Sequence, residues 1–146
     1  MTEAGRAAKM RRLAIAYRLA PEHPFPAASD DTLIAWKFLR DQGVPAAHIA
    51  IGGDSAGAGL TMALIARLRD AGEELPACPW LMSPWTDLTM SGSTLASKAA
   101  SAPLIHKEYL NELADAYLPA GKDRNDSRDP PTSAELEKAP TMVIQV

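Results

Sequence analysis

Apolar residues in this chain gather in short unbroken runs, separated by longer stretches of helical spacing, as expected of buried strands alternating with helices. The first run, Leu13-Ala14-Ile15-Ala16-Tyr17, leads into a proline-rich segment from Pro21 to Pro26 and predicts a buried strand ending in a loop. A helix is expected next. Ser29 or Asp30 is placed to cap it, Ile34, Ala35, Phe38 and Leu39 follow an i, i+3, i+4 rhythm, and Gly43 stands where it should stop. That stripe is expected to cover a sheet. Ile49-Ala50-Ile51-Gly52-Gly53 predicts a second buried strand, after which Asp54 and Ser55 turn the chain into a helix ending near Gly72. With Leu60, Met62, Leu64, Ile65 and Leu68 pointing in several directions, that helix should lie deep in the fold.

A third strand is expected over Trp80 to Ser83, with Pro79 at its start because proline donates no ladder hydrogen bond. Thr86 to Ala102 reads as loop, His106 to Tyr117 as a helix, Gly121 to Pro131 as polar loop and Met142 to Val146 as a fourth strand. Strands alternating with helices imply an α/β fold with a parallel, doubly wound sheet.

Composition narrows the partners. The chain has 146 residues, 47% of them apolar, enough for one globular core. Its formal net charge is -3, and no basic block suggests nucleic acid or an anionic membrane, which leaves small molecules as the expected partners. Arg6, Lys9, Arg11 and Arg12 precede an apolar run too short for a signal-peptide core, and no stretch approaches membrane-spanning length. A cytoplasmic location is expected. The single cysteine, Cys78, cannot form an internal disulfide and reads as a small buried hydrophobe.

Against that background Gly53-Asp54-Ser55-Ala56-Gly57 stands out, because its G-x-S-x-G form lies where a strand hands over to a helix. A serine on such a sharp turn has its hydroxyl pushed out above the sheet, and both flanking glycines are expected to be needed because side chains there would strike strand or helix. The helix N-terminus and the Ala56 N–H can stabilise a developing oxyanion. The pentapeptide alone is not decisive, since chance gives it in roughly one chain in twenty of this length at about 7% usage for each fixed residue. A glycine-rich phosphate-binding turn or a plain strand-to-helix turn is the alternative at this point.

Three stretches, Tyr17-Arg18-Leu19-Ala20-Pro21-Glu22-His23-Pro24-Phe25-Pro26-Ala27-Ala28, then Gly53 to Gly57, then Ser83-Pro84-Trp85-Thr86-Asp87, resemble the bacterial hormone-sensitive-lipase-like carboxylesterases in order and spacing. The closing Pro140-Thr141-Met142-Val143-Ile144-Gln145-Val146 is also similar to that family. The resemblance covers nearly the whole chain and implies the central portion of an α/β-hydrolase, a mostly parallel sheet with flanking helices. It implies a serine hydrolase cleaving short-chain carboxylic esters or lactones through an acyl-enzyme on Ser55. Ala56 then supplies an oxyanion-hole N–H, and no metal or organic cofactor takes part.

The resemblance also says what to expect elsewhere. In the family the order is Ser, then Asp or Glu, then His, with the acid just after the strand that matches Met142 to Val146. The His-Gly-Gly-Gly loop that completes the oxyanion hole should precede Leu13, and its strand normally lies between those matching Leu13 to Tyr17 and Ile49 to Gly53. Residues 1–146 are therefore expected to form a partial domain, without the oxyanion-loop region and the acid and histidine region. Bare strand edges then favour self-association, strand re-pairing or failure to fold. His23, His48 and His106 are expected to be structural, Asp87 to fix a loop, Glu22 to tie down the proline-rich segment, and Asp54 to point away from the attack. Trp85, Met90 and Tyr109 are candidates for a pocket, with ordinary packing the stronger reading. Ala58, Ala16 and Ala102 stand where the family generally has glycine, aspartate and aspartate. The alternatives are a catalytically inactive hydrolase fragment, or remnant that binds other chains through its edges, and a peptidase on the same fold.

Overall fold

A computed structural model describes residues 2–101, 105–124 and 139–146. Its centre is a sheet of three parallel strands, β1 (Ala50–Asp54), β2 (Cys78–Met82) and β3 (Val143–Gln145), ordered β1-β2-β3. Ala50 lies opposite Cys78 and Trp80 opposite Val143, and no reversal of strand order occurs among the described residues. Two longer helices stack on this sheet. α3 (Ala56–Asp70) packs on β1 and β2, and α2 (Ala27–Asp41) packs on α3. α1 (Thr2–Ala7) and α4 (Thr94–Ser97) are short, and α5 (Lys107–Tyr117) follows the loop after β2.

α3 is the expected central helix: every residue from Ala58 to Ala66, and Leu68, is buried. Ala58, Met62 and Ile65 meet Leu81 of β2, while Leu64 and Leu68 join Trp36, Ala46 and Ile49 in a second cluster. Both long helices stop at a glycine in the left-handed region, Gly43 at φ 77° and Gly72 at φ 69°. In each case the two amides beyond the cap turn back to helix carbonyls, Val44 N–H to Leu39 and Glu73 N–H to Leu68, which satisfies acceptors a helix end would leave bare.

Several expectations change. Leu13 to Tyr17 forms no strand, and Leu13 and Ile15 remain exposed, because a strand exists only by pairing and no described segment pairs with it. Neither Ser29 nor Asp30 caps α2. The helix starts at Ala27, its N-cap is Pro26 without a side-chain hydrogen bond, and both polar residues instead receive Arg67 Nη1 from α3, at 3.0 and 2.9 Å. The buried face of α2 is rotated from the predicted stripe: Ser29, Thr32 and Trp36 are buried, whereas Ile34 and Phe38 are 62% and 52% exposed. β2 begins at Cys78 rather than Trp80, and Pro79 sits at its start as its second residue, fully buried; β3 pairs with β2 only from Trp80 onward, so no ladder bond to β3 is lost. Glu22 makes no polar contact among the described residues, and Arg18 takes its place, with Nη2 donating to Asp31 Oδ1 at 2.7 Å and its backbone N–H to Asp31 Oδ2 at 2.8 Å. Ala102 and the end of the loop reaching Pro131 lie outside the described residues.

Candidate functional site

β1 delivers the chain to Asp54, and α3 begins at Ala56, so Ser55 alone makes the turn between them. It does so at φ 51° and ψ -114°, a backbone conformation that costs a residue with a side chain on the order of 1–3 kcal/mol. Four hydrogen bonds hold it there. Its N–H continues the ladder to Met82 O at 2.9 Å, and its carbonyl accepts from Ala58 and Gly59 of α3 and from Trp85 N–H, each at 3.1 Å. The side chain is exposed, and its hydroxyl makes no helix-capping hydrogen bond. Ala56 opens α3, where backbone N–H groups have no intrahelical acceptor, and no acidic residue occupies the first turn. A hydroxyl and free backbone donors thus share one exposed corner of the sheet.

The two glycines of the turn are not equivalent. A Cβ on Gly53 would lie 2.2 Å from the C and O atoms of Gly57 and 2.6 Å from the Ala58 nitrogen, so glycine is required for α3 to start this close to β1. A Cβ on Gly57 meets nothing within 4 Å, so the expectation that both glycines avoid a collision holds only for Gly53 among the described residues. Asp54 ends β1 with its side chain exposed.

No histidine is brought to Ser55 by a hydrogen bond. His23 sits in the proline-rich turn, where its N–H donates to Leu19 O at 2.8 Å, and His48 is exposed in a single 3-10 turn. His106 caps α5 by accepting Tyr109 N–H on Nδ1 at 3.3 Å. Asp87 is engaged within its own loop: one carboxylate oxygen takes the N–H and hydroxyl of Thr89, the other those of Ser91. Partial burial, the largest single influence, pushes its pKa up, but these hydrogen bonds together outweigh it and hold the carboxyl down at about 2.

Of the pocket candidates, Met90 is core, 3% exposed beside Leu88, Leu110, Ala114 and Leu118. Trp85 packs on that cluster while its Nε1–H donates to Asp87 O at 3.1 Å, and Tyr109 is largely exposed. An open groove of about 520 Å³ lies elsewhere, between Leu13 to Arg18 and the exposed side of α2, and none of its lining residues belongs to the Ser55 turn. The Asp87 clamp was readable in part, since Asp87-Leu88-Thr89-Met90-Ser91 alternates an acceptor with two hydroxyl residues. What the sequence did not disclose is that Ser83 and Met90, like Ser55, adopt positive φ, at 41° and 56°. No helix among the described residues is long and apolar enough to cross a membrane.

The sequence matches a family model described as the alpha/beta hydrolase fold over residues 1–146. It is 41% identical to an acetyl-hydrolase of Streptomyces hygroscopicus over 142 residues, covering 97% of this chain and 47% of that protein. An esterase of Acinetobacter venetianus is 34% identical, with 100% and 48% covered. A crystal structure of an esterase from the bacterial hormone-sensitive lipase family superposes with a TM-score of 0.92 at 41% identity, with 97% of this chain and 47% of that one covered. The chain thus spans about half the length of the relatives it matches.

Proposed function

Because this chain belongs to the α/β-hydrolase fold family, with bacterial hormone-sensitive-lipase-like esterases as its relatives, we propose that Ser55 is the nucleophile of a carboxylic ester hydrolase. The observation that carries this is the backbone at Ser55, held at φ 51° so that an uncapped hydroxyl stands clear of the strand and helix it joins. In the proposed reaction Ser55 Oγ attacks the ester carbonyl as its proton passes to a histidine base. The tetrahedral oxyanion accepts the Ala56 N–H, the alcohol leaves with the proton, and water releases the acid from the acyl-enzyme. Short acyl esters or lactones are the proposed substrates. The base and its carboxylate are proposed to come from segments outside residues 1–146, as does the rest of the oxyanion hole; Gly53, Asp54 and Gly57 build the turn. The scheme uses no metal or cofactor and is assigned to the cytoplasm.

The test grafts residues 1–146 in place of the matched segment of the Streptomyces hygroscopicus acetyl-hydrolase and follows p-nitrophenyl butyrate hydrolysis. Ser55→Ala should reduce kcat by roughly 10³-fold or more without altering the circular-dichroism melt. Turnover that survives Ser55→Ala would refute the assignment. The chain by itself should show no Ser55-dependent turnover, since no described histidine hydrogen-bonds to the hydroxyl.

A second reading, an inactive scaffold that binds through its sheet edges, is favoured by one observation. Among the described residues β1 and β3 each pair on one side only, and Val143 and Ile144 are exposed. A graft that melts cooperatively yet never hydrolyses ester would favour it.

A further inference from the structure

Of the four described residues with side chains that adopt positive φ, three, namely Ser55, Ser83 and Met90, lie in two segments joined by hydrogen bonds. Ser55 N–H donates to Met82 O, Trp85 N–H returns to Ser55 O, and Ser83 N–H reaches Gln145 O on β3 at 2.7 Å. A backbone held away from its preferred region persists only while its surroundings over-determine it. For Ser55 the surroundings are α3 on one side and the 83–91 loop on the other.

That loop has its own fastening. Asp87 Oδ1 accepts from Thr89 and Oδ2 from Ser91, so one carboxylate grips the residues on both sides of Met90. Met90, at φ 56°, is thereby turned into the cluster formed with Leu88, Leu110 and Leu118, and Trp85 packs against the same cluster. Trp85 is tied back a second time, its indole N–H to the carbonyl of Asp87. The route from carboxylate to nucleophile is short: Asp87, the loop it closes, Trp85, and the carbonyl of Ser55.

We propose that Asp87 is a positioning residue for Ser55, closing the 85–91 loop so that Trp85 N–H holds the Ser55 carbonyl and keeps the nucleophile in its strained conformation. The proposal deepens the reading of Ser55 as nucleophile and rests on it. With both oxygens occupied by Thr89 and Ser91, Asp87 has no free acceptor with which to orient a histidine, which separates this role from that of a triad acid.

The experiment is NMR on the graft of residues 1–146 into the acetyl-hydrolase, comparing Asp87→Ala, Asp87→Asn and Ser91→Ala. In Asp87→Ala the Cα and Cβ shifts of Ser55 should move toward those of ordinary negative-φ serines, and the Trp85 amide should exchange about tenfold faster or more, with α2 amides unchanged. Asp87→Asn, which keeps one acceptor oxygen, should rescue part of the effect. Ser91→Ala removes a single hydroxyl contact; it should shift Ser55 in the same direction by less, and it carries the test if Asp87→Ala does not fold. Loss of protection at Thr89 and Ser91 with Ser55 and Trp85 unmoved would overturn the proposal. Those signals do not depend on chemistry, so unmoved Ser55 shifts would sink the positioning role alone, whereas turnover surviving Ser55→Ala in the graft would sink the nucleophile reading alone.

Discussion

Replacing Gly53 by alanine introduces one methyl group where the structure has no room. Its Cβ would sit 2.2 Å from two backbone atoms of Gly57, whereas ordinary contact begins at 3.4 Å, so the first turn of α3 must retreat by 1.2 Å. The obstructing atoms are backbone and cannot swing aside like a side chain. Moving them stretches the bonds from Ala58 and Gly59 to Ser55 O and loosens Ala58 and Met62 from Leu81. Overpacking a rigid site usually costs 1–3 kcal/mol, and a backbone clash belongs at the upper end, so Gly53→Ala should destabilise by about 3 kcal/mol or more. Gly57→Ala is the control: its methyl meets nothing within 4 Å, it lies within α3, and alanine is the better helix former, so stability should rise by up to about 1 kcal/mol. Urea unfolding of both variants and the parent, followed by circular dichroism at one protein concentration, measures the difference. A Gly53→Ala midpoint equal to that of the parent, or equal losses in both variants, would refute the reasoning.

Leu68, 2% exposed among Trp36, Ala46, Ile49 and Leu64, should cost about 2–5 kcal/mol when cut to alanine, read in the same urea experiment. Asp87 is held at about 2 against an ordinary 3.8, so its folded-state pKa is depressed and its contribution to stability is present above the unfolded value and lost as pH falls through the folded one. The stability gap between the parent and Asp87→Asn should therefore be constant above pH 5 and mostly gone by pH 2, a comparison that equilibrium unfolding across that range makes directly. Sedimentation velocity of the chain should show species heavier than 15.6 kDa growing with concentration, through the outer edges of β1 and β3; a monomer at all concentrations would contradict this.

How far the sequence could be read depended on whether the deciding interactions were local. α3 announced itself because a helix buried on nearly every side must be apolar on nearly every side, and the glycines ending α2 and α3 mark left-handed positions that few other residues adopt. The parallel sheet followed from alternation. Leu13 to Tyr17 shows the limit: its apolar run was evident, but a strand is a relation between two segments and cannot be read from one. The rotation of α2 has the same origin, since Arg67 from another helix draws Ser29 and Asp30 inward and leaves Ile34 and Phe38 outside. Within the candidate site, Gly53 and Ser55 were legible as a turn. The grip of Asp87 was legible only in part, from the hydroxyl residues alternating after it, and the turn at Met90 was not, because positive φ at a methionine leaves no trace in composition or spacing.

The backbone at Ser55 also bears on how such a sequence changes over generations. Glycine enters the conformation at φ 51°, ψ -114° without the steric penalty that any side chain incurs, so stability alone would select glycine at this position. A lineage released from the need for a hydroxyl would gain stability by one substitution, and drift should find it readily. On the proposed role of Ser55, serine at this position is held against a thermodynamic gradient, and its replacement by glycine in descendants would date the loss of that proposed chemistry more sharply than decay anywhere else in the fold.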